Sequence, residues 1–492
     1  MAISNNNHHA LLLASPGMGH IIPALELAKR LVTHKIISKL TFFCGSIKTS
    51  TPSKAETQIL QSAIKENLFD LIQLPPIDLT IHVSPRDTLE TKIAIIMHEI
   101  PLLFVSTISS MNLNPTMIIT DFFFSQVIPL AKNLNLPTFA FAPTNAWLVA
   151  LGLHTPTLDK EIEGEYINES KPISIPGCKS IHPLDMFGML RDRTQRIYHE
   201  YVGACEGAAL ADGIFVNTFH ELEPKTLEAL GSGHIITKVP VYPVGPIVRD
   251  QRSPNGSNEG KIGDVFGWLD KQEEESVVYV SLGSGYTMSF EEIKEMALGL
   301  ELSGKKFVWS VRPPATKSGT GNYLTAVNVG EEGETRTILG SNNEPSNSFP
   351  DEFYRIQTNG IVITDWAPQL DILKHPSFGG FVSHCGWNSL MESVSCGVPI
   401  IGLPLYAEQM MNAAMLMEEV GNAIRVEVSP STNMVGREEL SKAIRKIMDK
   451  DDKEGCVMRE RAKELKHIAE RAWFHDGPSY LALSKITHSN RV

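Results

Sequence analysis

The chain has 492 residues, 42% hydrophobic and 20% charged, a globular balance and too long for one ordinary core. Asp and Glu number 56 against 44 Lys and Arg, a net charge of -12 with histidines neutral, and no basic stripe appears, so a nucleic-acid partner is not expected. The six cysteines (Cys44, Cys178, Cys205, Cys385, Cys396 and Cys456) lack C-x-x-C spacing and read as thiols of a reducing compartment.

The N-terminal stretch MAISNNNHHALLLASPGMGH has no basic leader, and its apolar run reads as a buried strand, His9 to Ala14. A glycine-rich turn leads to a helix around Pro23 to His34. Strands follow at Lys39 to Cys44, Thr116 to Thr120, Thr138 to Phe141 and Gly213 to Asn217. Short apolar runs alternating with helical patterns predict β-α-β units and a doubly wound parallel sheet. Pro172 to Arg193 reads as a loop, followed by an amphipathic helix at about Thr194 to Ala211.

Composition changes after PVGPIV (Pro243 to Val248): RSPNGSNEGKIGD, rich in Gly, Ser and Asn, marks a linker. The predicted organisation is a first domain over 1–248, a linker over 249–264, a second domain over 265–475, and a terminal helix over 476–492 packing back on the first domain. In the second half the alternation restarts with strands at Ser276 to Leu282, Phe307 to Val311, Gly360 to Thr364, Gly379 to Ser383 and Pro399 to Leu403. Ser289 and Glu292 form an S-x-x-E capping box, which fixes a helix start. Pro314 to Ser348 is a long polar insert that reads as a mobile surface loop. No run approaches 18 apolar residues, so no membrane span is expected, and the chain reads as a cytoplasmic monomer.

The richest chemistry lies in WAPQLDILKHPSFGGFVSHCGWNSLMESVSCGVPIIGLPLYAEQ, Trp366 to Gln409. Asn388 and Ser389 open a helix whose free N–H groups and dipole favour a phosphate, and His384, at a strand end, adds a donor. Glu392, one turn into that helix, offers a carboxylate to two ribose hydroxyls. Trp366 offers a flat face for a base, and Glu408 with Gln409 offers groups suited to sugar hydroxyls. Taken singly, each has a structural alternative: Trp366 as core, Glu392 as a solvated helix residue, Asn388 as a simple N-cap.

This run resembles the signature box of the plant family 1 UDP-dependent glycosyltransferases over all 44 positions, Trp366 to Gln409. The resemblance implies a GT-B fold, two Rossmann-like α/β domains facing each other across a cleft. It implies Trp366 stacked on uracil, Ala367 and Gln369 near the base and ribose, and His384, Asn388 and Ser389 on the diphosphate. Glu392 would hold the ribose, and Trp387, Glu408 and Gln409 would line the sugar, with Gln409 favouring glucose over galactose. Ser284, in SLGSGYT, resembles a phosphate-contacting loop residue, although Tyr286 stands where the family commonly has a small residue.

In the first domain SPGMGHIIPALELAKRL places His20 between a strand and a helix. A dinucleotide-binding oxidoreductase is the rival, because Gly17-x-Gly19 begins a G-x-G-x-x-G; Ile22 replaces the third glycine, and no acidic residue ends the second strand. The glycosyltransferase resemblance instead implies His20 as general base and Asp121 as its partner, with Thr144 near the donor sugar. Their joint presence weighs against a catalytically silent nucleotide-sugar-binding relative. The implied acceptor is a small phenol such as a hydroquinone, monolignol or hydroxycoumarin, with Phe122, Asn145 and Trp147 among candidate acceptor-pocket residues. An ordinary imidazole, near ~6.5, faces an ordinary phenol, near ~10, across about 5 kcal/mol, and an aliphatic alcohol would be far worse. Fixed donors around the phosphates would meet the developing charge, so no metal or other cofactor is expected.

Overall fold

The computed structural model describes residues 8–47, 54–82, 87–232, 235, 239–249, 259–314, 349–364, 366–429 and 434–487. The first half forms β1 (His9–Ala14), β2 (Lys39–Cys44), β3 (Asp70–Gln73), β4 (Met117–Asp121), β5 (Thr138–Ala142), β6 (Gly213–Val216) and β7 (Val241–Pro243). They pair in parallel in the order β3-β2-β1-β4-β5-β6-β7. Every residue of β1, β4, β5 and β6 is buried, as expected of a parallel sheet covered by helices on both faces. The second half forms β8 (Val277–Ser281), β9 (Lys306–Ser310), β10 (Gly360–Ile363), β11 (Phe378–Ser383), β12 (Ile400–Gly402) and β13 (Ala423–Arg425). These are also parallel, in the order β10-β9-β8-β11-β12-β13.

The chain divides into two compact units, one built on Met1–Arg249 with Ile468–Val492, the other on Asp250–Tyr323 with Gly330–His467. Each is a doubly wound α/β layer structure, and together they make the GT-B fold. The terminal segment belongs to the first unit. Trp473 donates its indole N–H to Pro246 O at 3.0 Å, Ser479 donates its hydroxyl to Gly245 O, and Ala482, Leu483 and Ile486 join the core beneath β1 and β2.

In each sheet the strand order reverses at one place, between β1 and β4 and between β8 and β11. Loops leaving the carboxyl ends of such a pair diverge to opposite faces, which opens a crevice for ligands. His20 follows β1 and Asp121 ends β4; Ser284 follows β8 and His384 follows β11.

Four features depart from the sequence expectations. The edge strands β3, β7 and β13 were not anticipated, because each is three or four residues long and largely half-buried or exposed, without an apolar run. The first helix runs Met18–Thr33, starting before Pro23, because Gly17, at φ 99°, makes the turn and places His20 already in its first turn. The helix Glu259–Leu269 claims 259–264 from the expected linker, since Val265 and Leu269 anchor it in a core cluster that tolerates its glycines. Finally, Leu89–Ser110 is long and apolar enough by composition to span a membrane, with mean hydropathy 1.6. Its apolar residues are instead used in packing: Phe104 meets Phe43 edge to face, and Ile100 lies against Gly45. The other part of the expected linker (250–258) and nearly all of the polar insert (315–348) lie outside the described residues.

Candidate active site

In the first unit the chemistry gathers at the β1/β4 reversal. His20 Nδ1 lies 2.8 Å from Asp121 Oδ2, with 17% of the histidine side chain exposed and 0% of the aspartate. The other oxygen, Asp121 Oδ1, accepts the Phe123 backbone N–H at 2.9 Å, so the carboxylate is held from both sides. An ionised carboxylate only accepts, so the imidazole proton resides on Nδ1 and Nε2 is left as the basic nitrogen. Phe123 packs its ring on the imidazole, centroids 4.8 Å apart, and in turn meets Phe187 and Tyr201.

The acceptor-pocket candidates lie deeper. Trp147 is fully buried and Phe122 nearly so. Asn145 caps the helix Ala146–Glu161, accepting from Leu148 N at 2.7 Å, and the buried Glu223 carboxylate takes the N–H groups of Ala146 and Trp147. All three are therefore engaged in packing or capping, and Phe123 is the aromatic that reaches the histidine. Glu223 went unnoticed in the sequence because its link to that helix start spans 77 residues. Thr144, just past β5, carries a buried hydroxyl without a hydrogen-bond partner.

The second unit carries its own cluster of polar groups. The helix Trp387–Cys396 begins at Gly386 with no side-chain cap, in contrast to the filled helix start at Asn145, and ends at Gly397 in the left-handed conformation. A helix start of this kind favours an anion through its dipole. The turn before it is strained: Cys385 adopts φ 65°, held by Ser383 Oγ on its N–H (3.2 Å) and by Asn412 Nδ2 on its carbonyl (2.8 Å).

His384 is wedged between two glycines. A Cβ at Gly386 would stand 2.4 Å, and one at Gly283 2.5 Å, from its Nε2. Its Nδ1 is buried without a hydrogen-bond partner, and burial pushes the ring's pKa down to about 4. A neutral imidazole carries one N–H for donation.

On the same helix Glu392 is buried, and Gln369 Nε2 bridges Glu392 Oε2 (2.7 Å) and Ser389 Oγ (2.8 Å). Trp366, by contrast, leaves 46% of its surface exposed, an unusual position for a tryptophan unless a planar partner covers it. Ala367 packs on the core beside it. Asn388 is half-buried at the helix start, while Trp387 is buried beneath it. Gln409 Oε1 accepts from Leu405 N (3.0 Å) and Tyr406 N (3.1 Å), and the Gln409 side chain also hydrogen-bonds the Tyr406 hydroxyl. Glu408 lies 3.5 Å from Asn412 Nδ2.

Ser284 is exposed on the loop after β8, and Tyr286 finds its role there, donating its hydroxyl to Glu292 Oε1 at 2.7 Å. Among the described residues no three His, Cys, Asp or Glu side chains cluster as metal ligands. One Asp-x-Asp run occurs, Asp449 to Asp451, and there Asp449 is paired with Lys305 at 2.6 Å.

Two doubly wound units, a His20–Asp121 pair at one sheet reversal and an uncapped helix start at the other fit a nucleotide-sugar transferase. The family model of UDP-glucuronosyl and UDP-glucosyl transferases matches residues 263–462. Anthocyanidin 3-O-glucosyltransferase 5 of Manihot esculenta is 41% identical, over 98% of this chain and 95% of that protein. UDP-glycosyltransferase 72D1 of Arabidopsis thaliana is 40% identical, over 96% and 97% respectively. The structure of Phytolacca americana UGT2 with UDP-2fluoro-glucose and pterostilbene superposes with a TM-score of 0.82 at 32% identity, covering 98% of this chain and 99% of that one. The chain belongs to the plant family 1 UDP-dependent glycosyltransferases and is a UDP-glycosyltransferase.

Proposed function

We propose that this enzyme transfers glucose from UDP-glucose to a hydroxyl of a small phenolic acceptor, inverting the anomeric carbon, with His20 as general base. The observation that carries this is the 2.8 Å contact between His20 Nδ1 and the buried Asp121, because it leaves Nε2 basic beside an aromatic wall. As the acceptor oxygen attacks C1, its proton passes to Nε2 and Asp121 stabilises the resulting imidazolium. The new O–C1 bond forms as the bond from C1 to the β-phosphate oxygen breaks, and UDP departs with that electron pair.

The charge on UDP falls to the start of the helix Trp387–Cys396, to Ser284, Asn388 and Ser389, and to His384. Glu392 takes the ribose, steadied by Gln369, and Trp366 takes the uracil. Trp387, Glu408 and Gln409 serve the sugar, as does Thr144; Gln409 is the basis for preferring glucose. These fixed donors meet the leaving-group charge, so turnover is expected to be indifferent to chelators. The pterostilbene in the Phytolacca americana complex and the anthocyanidin in the Manihot esculenta name support a phenolic acceptor.

The deciding assay incubates the enzyme with UDP-glucose and a panel of phenols, reads UDP release, and assigns the product anomer by NMR. A β-glucoside is expected. UDP release that is independent of every phenol would overturn the acceptor assignment, and an α-glucoside would overturn inversion.

A further inference from the structure

One cation stands where the sequence motifs give no reason to look. β8 pairs with both β9 and β11, and Ser281 lies opposite Ser310 on one side and Ser383 on the other. The three chain segments therefore leave the sheet side by side, carrying Ser284, Arg312 and His384. Arg312 spans the neighbouring loop with its planar fork: Nη1 donates to Ser284 O at 2.7 Å and Nη2 donates to Tyr286 O. Tyr286 is tied in turn to Glu292, which closes the capping box with Ser289. At the loop's other end Gly283, at φ 75°, lies so close to His384 that a side chain there would strike the imidazole.

Arg312 is half-buried, and partial burial holds its pKa below the usual arginine range. Among the described residues it has no carboxylate partner; its bonds go to neutral carbonyls. A desolvated cation left uncompensated is costly unless an anion completes it. Its position on the Ser284 loop, whose Gly283 abuts His384 on the other side, indicates which anion.

We propose that Arg312 is a positioning residue for the nucleotide diphosphate. It fixes the 283–286 loop where Ser284 meets the phosphates, and it supplies a positive charge that the bound diphosphate balances. This rests on the UDP-sugar assignment above. The role is distinct from that of Trp366 and Glu392, which take the uridine.

The test is calorimetric titration of the full-length enzyme, wild type and variants, with UDP and separately with uridine, alongside thermal melting. For Arg312→Ala, UDP affinity is expected to fall about ten-fold or more, the scale of losing hydrogen bonds that involve a charged group. Uridine affinity is expected to stay within two-fold. Arg312→Lys, which keeps the charge but not the fork, is expected to lie between the two, and it carries the same comparison if the alanine variant fails to fold. UDP affinity within two-fold of wild type in both variants overturns the proposal. So does an equal loss for UDP and uridine, which would mark a merely structural residue. A wild-type enzyme that binds no UDP would instead sink the UDP-sugar assignment itself, so the two failures are distinguishable.

Discussion

Replacing Asp121 by Asn and by Ala separates two jobs that this carboxylate performs. Oδ1 receives the Phe123 N–H and Oδ2 faces His20 Nδ1. An asparagine keeps the Phe123 bond only by placing its carbonyl at Oδ1, which turns its NH2 toward His20. Nδ1 must then accept, the imidazole proton moves to Nε2, and the base is lost. An alanine removes the charge but imposes no tautomer, since water can take the Nδ1–H. At an effective dielectric near 20, a carboxylate about 4 Å from an imidazolium centre is worth about 4 kcal/mol, or roughly three orders of magnitude in kcat. Both variants lose this; asparagine adds the wrong tautomer, about 1–2 kcal/mol more. We expect Asp121→Asn to be roughly ten-fold slower than Asp121→Ala, with UDP affinity unchanged in both. The measurement is UDP release at saturating UDP-glucose and phenol, with calorimetry for UDP. An asparagine variant that turns over faster than the alanine variant would refute the tautomer argument, and wild-type rates in both would remove Asp121 from the mechanism.

Trp366→Ala is expected to weaken UDP by about 1–3 kcal/mol, the range for stacking one base, with little change in melting temperature because the ring is half in solvent. Equal binding in that variant would argue against the platform. Gln409→His is expected to alter the ratio of UDP-glucose to UDP-galactose turnover, while unchanged ratios would remove Gln409 from sugar selection. His384 makes stability depend on pH. Between the ordinary histidine value of 6.5 and the folded value of about 4, the unfolded chain binds a proton that the folded ring refuses. That contribution is intact above pH 6.5 and declines as the pH falls toward 4, by about 3 kcal/mol in all. In denaturant titrations wild type should therefore lose stability relative to His384→Gln as the pH is lowered through this window, and parallel curves would contradict it.

Much of this was legible in the sequence because local chemistry carried it. The buried strands read as apolar runs, the Ser289 capping box appears with both of its bonds, and the Trp366 to Gln409 run named its own ligand class. His20 and Asp121 stood at strand ends that the fold brings to one crevice. What stayed hidden depends on contacts across the sheet. Arg312 has no motif, and its partners lie 26 and 28 residues away, joined only through the pairing of β8 with β9. Asn412 reaches back 27 residues to a strained turn. Phe122 and Phe123 are indistinguishable in sequence, yet the short turn after β4 sends one inward and the other onto the histidine. Edge strands escaped because half-solvated residues need no apolar run.

The way the first unit borrows its last helix bears on how the enzyme is made. A ribosome that has delivered Arg249 has produced every strand of the first sheet, yet Trp473, Leu483 and Ile486 are still untranslated. At about 5–20 residues per second, the half-built layer waits roughly ten to fifty seconds for its closing piece. In that interval the chain of the second unit is synthesised as one continuous stretch and has the whole of its own core available. The part of the enzyme that carries His20 is thus begun first and finished last, and a premature stop within the final twenty residues would damage the half of the site encoded at the opposite end of the message.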